Sequence, residues 1–252
     1  MSTAAARLAR DAFERLLETD APALRALLPV GFADAVEAWV ALLLAANERL
    51  NLTRIVEPEA IARLHLLDAV AALPVIDALA PRRCLDLGSG GGVPGIPLAL
   101  ARPDVAWTLV DSVGKKVEAM SSFVASLRVA NVQVLGGRAE IVGRALEHRE
   151  TYDLVTARAC APLPVLAEYA LPLLRVGGTL LAWKGAVADD ELRAGRVAAA
   201  ELGGDPPTLE PSGIEALGDH QFVVVRKVDA TPDRYPRRPG MPAQHPLGVP
   251  VS

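Results

Sequence analysis

The spacing of hydrophobic residues changes about a third of the way along the chain. Up to about residue 76, apolar residues recur every three or four positions, as in Phe13, Leu16 and Leu17, which is the period of an amphipathic helix. From Arg83 onward, short apolar runs alternate with longer helical patterns. Such alternation predicts a parallel sheet with helices on both faces and places ligands at the carboxyl ends of its strands.

The individual elements follow from the same pattern. The predicted strands are 83–87, 105–110, 132–135, 152–157 and 179–183, a weak strand near 208–214, and 221–226. The predicted helices between them are 95–101, 114–129, 138–147, 163–174 and 188–202. Before the first strand, a polar turn at 51–54 precedes a helix that begins at Pro58 and runs to Leu73.

Three regions result. Residues 1–76 are interpreted as a helical extension packed on the core, and residues 77–228 as the α/β domain. Residues 229–252 contain six prolines and no periodicity, which predicts an irregular or mobile tail.

The loop after the first strand carries the strongest functional signal. Residues 88–95 include five glycines, and an apolar helix follows them. Glycine permits a positive φ and lets a ligand lie directly against the backbone, where a Cβ would clash. The helix start behind the loop offers unpaired N–H groups to polar parts of a ligand. We therefore expect Gly88 and Gly90 to bind a nucleotide-type ligand.

Two acidic residues help to identify the ligand that the glycine loop binds. Asp111 ends the second predicted strand, where a carboxylate accepts hydrogen bonds from ribose hydroxyls in NAD enzymes and in S-adenosylmethionine (SAM) enzymes alike. Asp86 precedes the loop, has no role in a dinucleotide site, and suits a ligand with an ammonium group. A phosphate-binding P-loop is excluded because Ile96 stands where its lysine should be. SAM is the favoured ligand, and a purely structural glycine turn is the alternative.

Composition limits the class of protein. At 252 residues and 51% hydrophobic content, the chain can bury one substantial core. No apolar run approaches the roughly 18 residues of a membrane span, and no signal-peptide core is visible. Cys84 and Cys160 lie in apolar, strand-like contexts, which predicts two buried thiols in a reducing cytoplasm. Neither the cysteines nor the four histidines show ligand spacing, so we expect no metal and no membrane partner.

The net charge of -4 and the pI of about 5.6 give no overall nucleic-acid signature. This argues against a protein that coats RNA, but it leaves room for an enzyme with a local basic cleft.

Eight ordered motifs carry a resemblance to a known family. They are Asn51-Leu52-Thr53-Arg54, His65-Leu66-Leu67-Asp68, the loop 85–97, Asp111-Ser112-Val113-Gly114-Lys115-Lys116, Gly137-Arg138-Ala139-Glu140, the segment 152–159, Gly177-Gly178 with Trp183-Lys184-Gly185, and the segment 235–240. On these residues, the chain resembles the RsmG family of bacterial small-subunit ribosomal RNA methyltransferases, also called glucose-inhibited division protein B. The resemblance spans nearly the whole sequence.

The resemblance implies a class I SAM-dependent methyltransferase with a Rossmann-like, mostly parallel seven-stranded sheet. It implies transfer of a methyl group from SAM to N7 of one guanine in the decoding-site loop of 16S rRNA, with S-adenosylhomocysteine as the product. It places Gly88 and Val93 against the methionine end of the donor, Ala139 and Glu140 beside its adenine, and Arg158 at the mouth of the pocket. From the residues alone, Glu140 is equally well read as a helix N-terminal acid and Arg158 as a solvated charge.

Guanine N7 carries a free lone pair at neutral pH, so its methylation needs alignment and no general base. We accordingly interpret Asp68 as a surface or buried paired carboxylate, and His65 as a satisfied core histidine.

The partner implied by the resemblance is 16S rRNA or the small ribosomal subunit, bound by a monomer. Basic residues after strands or in turns are candidates to bind the RNA backbone. They are Arg54, Lys115, Lys116, Arg158, Lys184, Arg237 and Arg238. After Gly240 the sequence lacks the lysine-rich ending of the family, which puts the tail's contribution to RNA binding in doubt.

Two other functions stay open at this stage. The first is a SAM-dependent methyltransferase that acts on a small molecule or a protein, which the acidic pI favours. The second is a non-enzymatic nucleotide-binding protein of the Rossmann type, which the glycine loop alone suggests.

Overall fold

Seven strands form one sheet in the computed structural model, which describes residues 2–249. The strands are β1 Arg83–Leu87, β2 Ala106–Asp111, β3 Val132–Gly136, β4 Tyr152–Arg158, β5 Leu174–Lys184, β6 Thr208–Pro211 and β7 Gln221–Arg226. Their order across the sheet is β3-β2-β1-β4-β5-β7-β6. β1 to β5 pair in parallel, whereas β7 is antiparallel to both of its neighbours. This arrangement confirms the predicted mostly parallel, Rossmann-like fold.

Helices precede the sheet and connect its strands. The α-helices are α1 Ser2–Thr19, α2 Pro22–Arg25, α3 Phe32–Leu50, α4 Pro58–Ile61, α5 Asp68–Val70, α6 Leu73–Leu79, α7 Gly95–Ala101, α8 Gly114–Leu127, α9 Ala139–Val142, α10 Leu163–Ala170, α11 Asp189–Glu201 and α12 Met241–Gln244. A π-helix, Ala62–Leu67, joins α4 to α5, and a 3₁₀-helix, Glu215–Leu217, precedes β7.

The two faces of the sheet pack against different helices. Alternate strand residues point to opposite faces, so Cys84 and Leu85 of β1 belong to different hydrophobic clusters. The cluster around Cys84 includes Phe13 of α1 and Trp39 of α3, together with residues of α7 and α8. The N-terminal helices therefore share one hydrophobic core with the sheet.

The sheet topology fixes where a ligand site can form. β1 and β4 lie side by side, with Cys84 opposite Leu154. From this pair, β2 and β3 extend the sheet in one direction, and β5 extends it in the other. The loops after β1 and β4 consequently diverge at the switch point where open α/β sheets bind ligands.

Several predicted elements differ from the observed ones, among them the helix predicted over 163–174, which ends at Ala170. The helix predicted over 138–147 shortens to α9, and the helix predicted from Pro58 to Leu73 contains the π-helix. The strand predicted over 179–183 starts five residues earlier, at Leu174. Gly178 lies inside this strand. The position requires glycine, because a Cβ there would come within 2.9 Å of the Tyr152 carbonyl oxygen. Glycine usually weakens a strand, so the sequence pattern placed the start of this strand after Gly178, although here the glycine permits close backbone packing.

Over residues 229–249 the tail has little regular structure, but buried and half-buried groups hold it against the domain. Arg144 Nε donates to the Pro236 carbonyl at 2.7 Å, and Arg149 donates to the carbonyls of Thr231 and Tyr235 at 2.8 Å. Arg237 forms an ion pair of 2.6 Å with the fully buried Glu168. These contacts hold the tail against the segment between α9 and β4 and against α10.

The expectation of two buried thiols is wrong for one of them. Cys84 is buried in β1, whereas Cys160 lies after β4 and is exposed. Within residues 2–249, none of the helices combines the length and apolarity that a membrane crossing requires.

Candidate functional site

The glycine loop after β1 forms the floor of the site. Gly88 and Gly90 have φ angles of +73° and +59°, a conformation that residues with a Cβ rarely adopt. The Gly88 N–H donates to the Val110 carbonyl at 2.9 Å, which ties the loop to β2. A Cβ on Gly88 would also meet Cys160 Sγ at 3.0 Å. The bare backbone is therefore required at this position.

Asp86 is bonded to the backbone at the end of this loop, and its side chain is buried. The expectation that it faces a ligand's ammonium group is therefore wrong. The side chain has no exposed surface. One carboxylate oxygen accepts from Thr156 Oγ1 at 2.8 Å and the other from the Gly95 N–H, at the start of α7, at 3.2 Å. Burial raises the pKa of this carboxyl, although these hydrogen bonds oppose the rise.

Asp111, at the end of β2, lies beside the loop as predicted from its position. Its Oδ2 accepts from the Gly90 N–H at 3.0 Å, and its Oδ1 accepts from the Val113 N–H at 2.9 Å. Lys116 Nζ stands 4.0 Å from the same carboxylate. Each oxygen keeps a second lone pair, so the group can still accept hydrogen bonds from a ligand.

A first cavity of about 290 Å³ opens between the ends of β1, β2 and β3. Asp111, Ala139 and Glu140 line it, together with Cys160 and Tyr169, which sequence reasoning missed. Neither missed residue belongs to a motif: Cys160 follows β4 and Tyr169 lies within α10.

Glu140 lies in the first turn of α9, as the helix N-terminal acid of the simpler interpretation, and it also lines the first cavity. Its side chain is buried and accepts hydrogen bonds from Arg138 at 2.9 Å and from the Gly240 N–H of the tail at 2.8 Å. Burial disfavours the charged form, but these hydrogen bonds outweigh it and hold the pKa of Glu140 below its usual value. The tail thus fixes one wall of the first cavity.

A second cavity of about 180 Å³ continues from the first, and Gly88, Lys116 and Ala159 line both. Gly90 and Val93 of the loop line it as well. Its opposite wall comes from the N-terminal region, which contributes Leu43, Leu52, Thr53 and His65. The helical extension is therefore part of the site.

Arg158, at the end of β4, lies where the second cavity meets a third. Its Nη1 donates to Asp68 Oδ2 at 3.0 Å and also to the Leu64 carbonyl, and its Nη2 lies 3.1 Å from His65 Nδ1. The guanidinium is thus bonded to the helical extension and is not a solvated strand-end charge. Asp68 is the buried paired carboxylate of the sequence interpretation.

His65 is a buried, satisfied histidine. Its Nε2 lies 3.0 Å from Thr53 Oγ1. Burial, and secondarily the charge of Arg158, lower the pKa of His65 to about 4. The ring is consequently neutral at physiological pH, which lets Nδ1 accept from Arg158.

This lowered pKa predicts a pH-dependent stability. Above about pH 6.5 the ring is neutral in both states, and as the pH falls towards 4 only the unfolded chain takes up the proton. The folded protein should therefore lose up to about 3 kcal/mol of stability over that window. We expect urea denaturation to show this loss in the wild type, and a shallower dependence in His65→Gln, which cannot titrate. Parallel pH profiles for the two proteins would contradict the prediction.

The third cavity, of about 440 Å³, lies beyond Arg158 at the ends of β4 and β5. Arg158 and Ala159 line both it and the second cavity. Its other walls come from Ile55, Leu64, Asp68, Trp183, Lys184, Gly185 and His220. His220 Nδ1 lies 2.9 Å from Asp68 Oδ1, 152 residues away in sequence. No sequence signal pointed to His220, because it is a lone histidine in a polar turn before β7.

The candidate RNA-binding residues fall into two groups. Arg54, Lys115 and Arg238 are exposed. The other four have carboxylate neighbours: Lys184 Nζ is paired with Glu191 at 2.8 Å, Arg237 with Glu168, Arg158 with Asp68, and Lys116 stands 4.0 Å from Asp111. The structure therefore gives Lys184 and Arg237 intramolecular partners. No group of His, Cys, Asp and Glu within residues 2–249 is arranged to hold a metal ion.

Comparison with known proteins places these features in a family. Residues 33–210 match the family GidB, described as rRNA small subunit methyltransferase G. A protein of Deinococcus radiodurans named ribosomal RNA small subunit methyltransferase G is 46% identical over 82% of this chain and 83% of its own. A protein of the same name from Rubrobacter xylanophilus is 42% identical over 96% of this chain and 92% of its own.

Solved structures share the fold at low sequence identity. The CurJ carbon methyltransferase superposes with a TM-score of 0.54 at 16% identity, over 87% of this chain and 67% of its own. The SAM complex of the O-methyltransferase TomG from Streptomyces achromogenes gives 0.51 at 20% identity, over 77% of this chain and 90% of its own.

Proposed function

The chain belongs to the rRNA small subunit methyltransferase G family, and from this we propose that it methylates N7 of one guanine in the decoding-site loop of 16S rRNA, with SAM as donor. The observation that carries the proposal is the continuity of three cavities along the carboxyl edge of the sheet: Ala159 lines all three, and Arg158 lies between the second and the third. The first two offer room for a donor, and the third offers room for an acceptor. We propose further that the protein acts as a monomer in the cytoplasm, on the small ribosomal subunit.

The residues of the first two cavities fit SAM. The adenosine part belongs in the first cavity, where Asp111 can accept from ribose hydroxyls and Ala139 and Glu140 lie beside the adenine. The methionine part belongs in the second cavity, against Gly88, Gly90 and Val93. The bare backbone of the loop supports this assignment because it leaves the floor of both cavities open.

The protein's share of the chemistry is alignment. SAM supplies a methyl group on a positively charged sulfur, so the N7 lone pair forms the new N–C bond while the S–C electron pair stays on sulfur. No proton leaves the guanine, and no general base is required. The side chains support this: His65 is neutral and fully bonded, and Asp68 is paired with Arg158 and His220. Arg158 borders both the donor and the acceptor cavities, and it positions the two reactants.

The test is to map N7-methylguanine in 16S rRNA from cells with and without this protein. Reduction and aniline treatment cleave RNA at N7-methylguanine, so primer extension locates the base. We expect one cleavage that depends on the protein and is restored by SAM and the purified enzyme. A methylated exocyclic amine or hydroxyl, or transfer to a protein or small molecule only, would contradict the proposal.

Replacement of Asp111 tests the donor site. Asp111→Ala should weaken the binding of SAM by about 1–3 kcal/mol, because the ribose hydroxyls and the Gly90 N–H lose their acceptor. Calorimetry should show that the affinity for S-adenosylhomocysteine falls by a similar amount, since this ligand has the same ribose. Asp111→Asn, which keeps one acceptor oxygen, should be intermediate. Strong divergence between the two ligands would show that Asp111 acts on the sulfonium or lies outside the site.

The exposed basic residues should govern capture of the RNA. Arg54→Ala, Lys115→Ala and Arg238→Ala should each raise the apparent KM for the small subunit and leave kcat nearly unchanged. Each should also make the dependence of binding on salt shallower, by roughly one phosphate contact. Lys184→Ala should show a smaller salt effect, because Glu191 already neutralises its charge. Unchanged salt slopes in all three exposed variants would exclude them from the RNA interface.

A further inference from the structure

The third cavity adjoins the donor site but is not part of it. It shares Arg158 and Ala159 with the second cavity and extends from there towards β5 and the turn before β7. A methyl acceptor has to approach the donor from an adjoining space, and this cavity opens directly onto the junction. Its location therefore fits the acceptor side of the reaction.

The walls of this cavity fit a planar heteroaromatic ring. Ile55, Leu64 and Trp183 make them mainly apolar. The indole of Trp183 is fixed, because its Nε1 donates to the Asp68 carbonyl at 2.8 Å and Phe222 packs against it edge-on at 5.1 Å between ring centroids. Rigid apolar walls with few polar groups are typical of pockets that receive a base extruded from the RNA.

His220 is a polar residue of these walls whose ring is held in place by a second wall residue, Asp68. The Asp68 carboxylate can only accept, so His220 Nδ1–H donates to it, and this bond selects the tautomer in which Nε2 is the acceptor. The His220 side chain is 38% exposed, whereas Asp68 is only 4% exposed. His220 lines the cavity, and Asp68 sets the orientation of its ring through Nδ1.

We propose that the third cavity binds the acceptor guanine base, and that His220 Nε2 accepts a hydrogen bond from the six-membered ring of that base. This inference rests on the proposed function. Because N7 must face the donor, the N1–H and the 2-amino group of guanine point away from the second cavity and into the third. His220 is then a substrate-contacting residue that determines base specificity, and Asp68 is a positioning residue that acts through it.

Two substitutions separate this role from a structural one. A glutamine side chain places its terminal amide near the position of His Nε2, whereas an asparagine side chain places it near Nδ1. His220→Gln therefore retains a group that faces the base, and His220→Asn retains only the contact with Asp68. If His220 contacts the base, glutamine should preserve activity better than asparagine.

The assay uses wild-type protein and variants on small ribosomal subunits from cells that lack the enzyme. His220→Ala and His220→Asn should lower kcat/KM by roughly 10- to 100-fold, the effect of leaving a substrate donor unpaired, and His220→Gln should recover most of this loss. Affinity for S-adenosylhomocysteine should stay at the wild-type value in all three. His245→Ala removes an exposed histidine outside the three cavities and should change nothing.

The outcomes are distinguishable. If wild-type protein forms no N7-methylguanine, the proposed function fails, and this inference fails with it. If wild-type protein forms it but His220→Ala is fully active, only the base-pocket inference fails. If His220→Asn preserves activity better than His220→Gln, the contact of His220 with Asp68 is what matters, and the contact with the base is refuted.

Discussion

Replacement of Gly88 by valine is expected to abolish SAM binding. Gly88 has a φ of +73°, which strains any β-branched residue, and its Cβ would lie 3.0 Å from Cys160 Sγ. The added methyl groups would also occupy the floor shared by the first and second cavities. Calorimetric titration should detect no binding at concentrations that saturate the wild type. Gly90→Val should behave in the same way, since its φ is also positive and it lines the second cavity.

A matched control separates lost binding from general backbone strain. Gly213 has a similar φ of +68°, and a Cβ there would meet nothing within 4 Å. Gly213→Val therefore imposes the same backbone strain outside the site, and it should bind SAM with wild-type affinity. If Gly88→Val kept wild-type affinity, the loop would not be the donor site. If Gly213→Val lost binding as fully as Gly88→Val, unfolding would account for both.

The parts of the site that sequence predicted best are those built from neighbours along the chain. Gly88, Gly90 and Asp111 were predictable because each lies at the end of a strand, and parallel strands end at one edge of the sheet. Their spacing alone therefore brings them together. The same reasoning placed Ala139, Glu140 and Arg158 at that edge.

Contacts between distant segments were not predictable in this way. The Asp68–His220 pair joins residues 152 positions apart, and Glu140 is bonded to Gly240 of the tail, 100 positions away. Neither pairing follows from periodicity, because both depend on how the helical extension and the tail fold over the sheet. Asp86 shows the reverse case: its position suggested a ligand contact, but the register of β1 turns its side chain into the core.

Arg158 should have the largest effect on catalysis among the side chains. In Arg158→Met, Asp68 would keep only His220 as a partner while remaining buried. An uncompensated buried carboxylate destabilises a protein by about 3–5 kcal/mol when its partner is removed, and we expect a loss of stability near the lower end. The reactants would also lose the residue that borders both cavities, so kcat should fall at least about 100-fold. Arg158→Lys should be intermediate, since one ammonium nitrogen cannot replace both Nη1, which donates to Asp68 and the Leu64 carbonyl, and Nη2, which faces His65 Nδ1.

A second substitution distinguishes positioning from folding. Asp68→Asn removes the unpaired charge and keeps an oxygen for His220, so Arg158→Met combined with Asp68→Asn should regain much of the stability lost in Arg158→Met. If Arg158 aligns donor and acceptor, this double variant should refold and bind S-adenosylhomocysteine yet stay deficient in kcat. Thermal unfolding and single-turnover methylation of small subunits measure the two effects independently. Recovery of kcat together with stability would show that Arg158 only neutralises Asp68, and that alignment at the junction of the cavities depends on other residues.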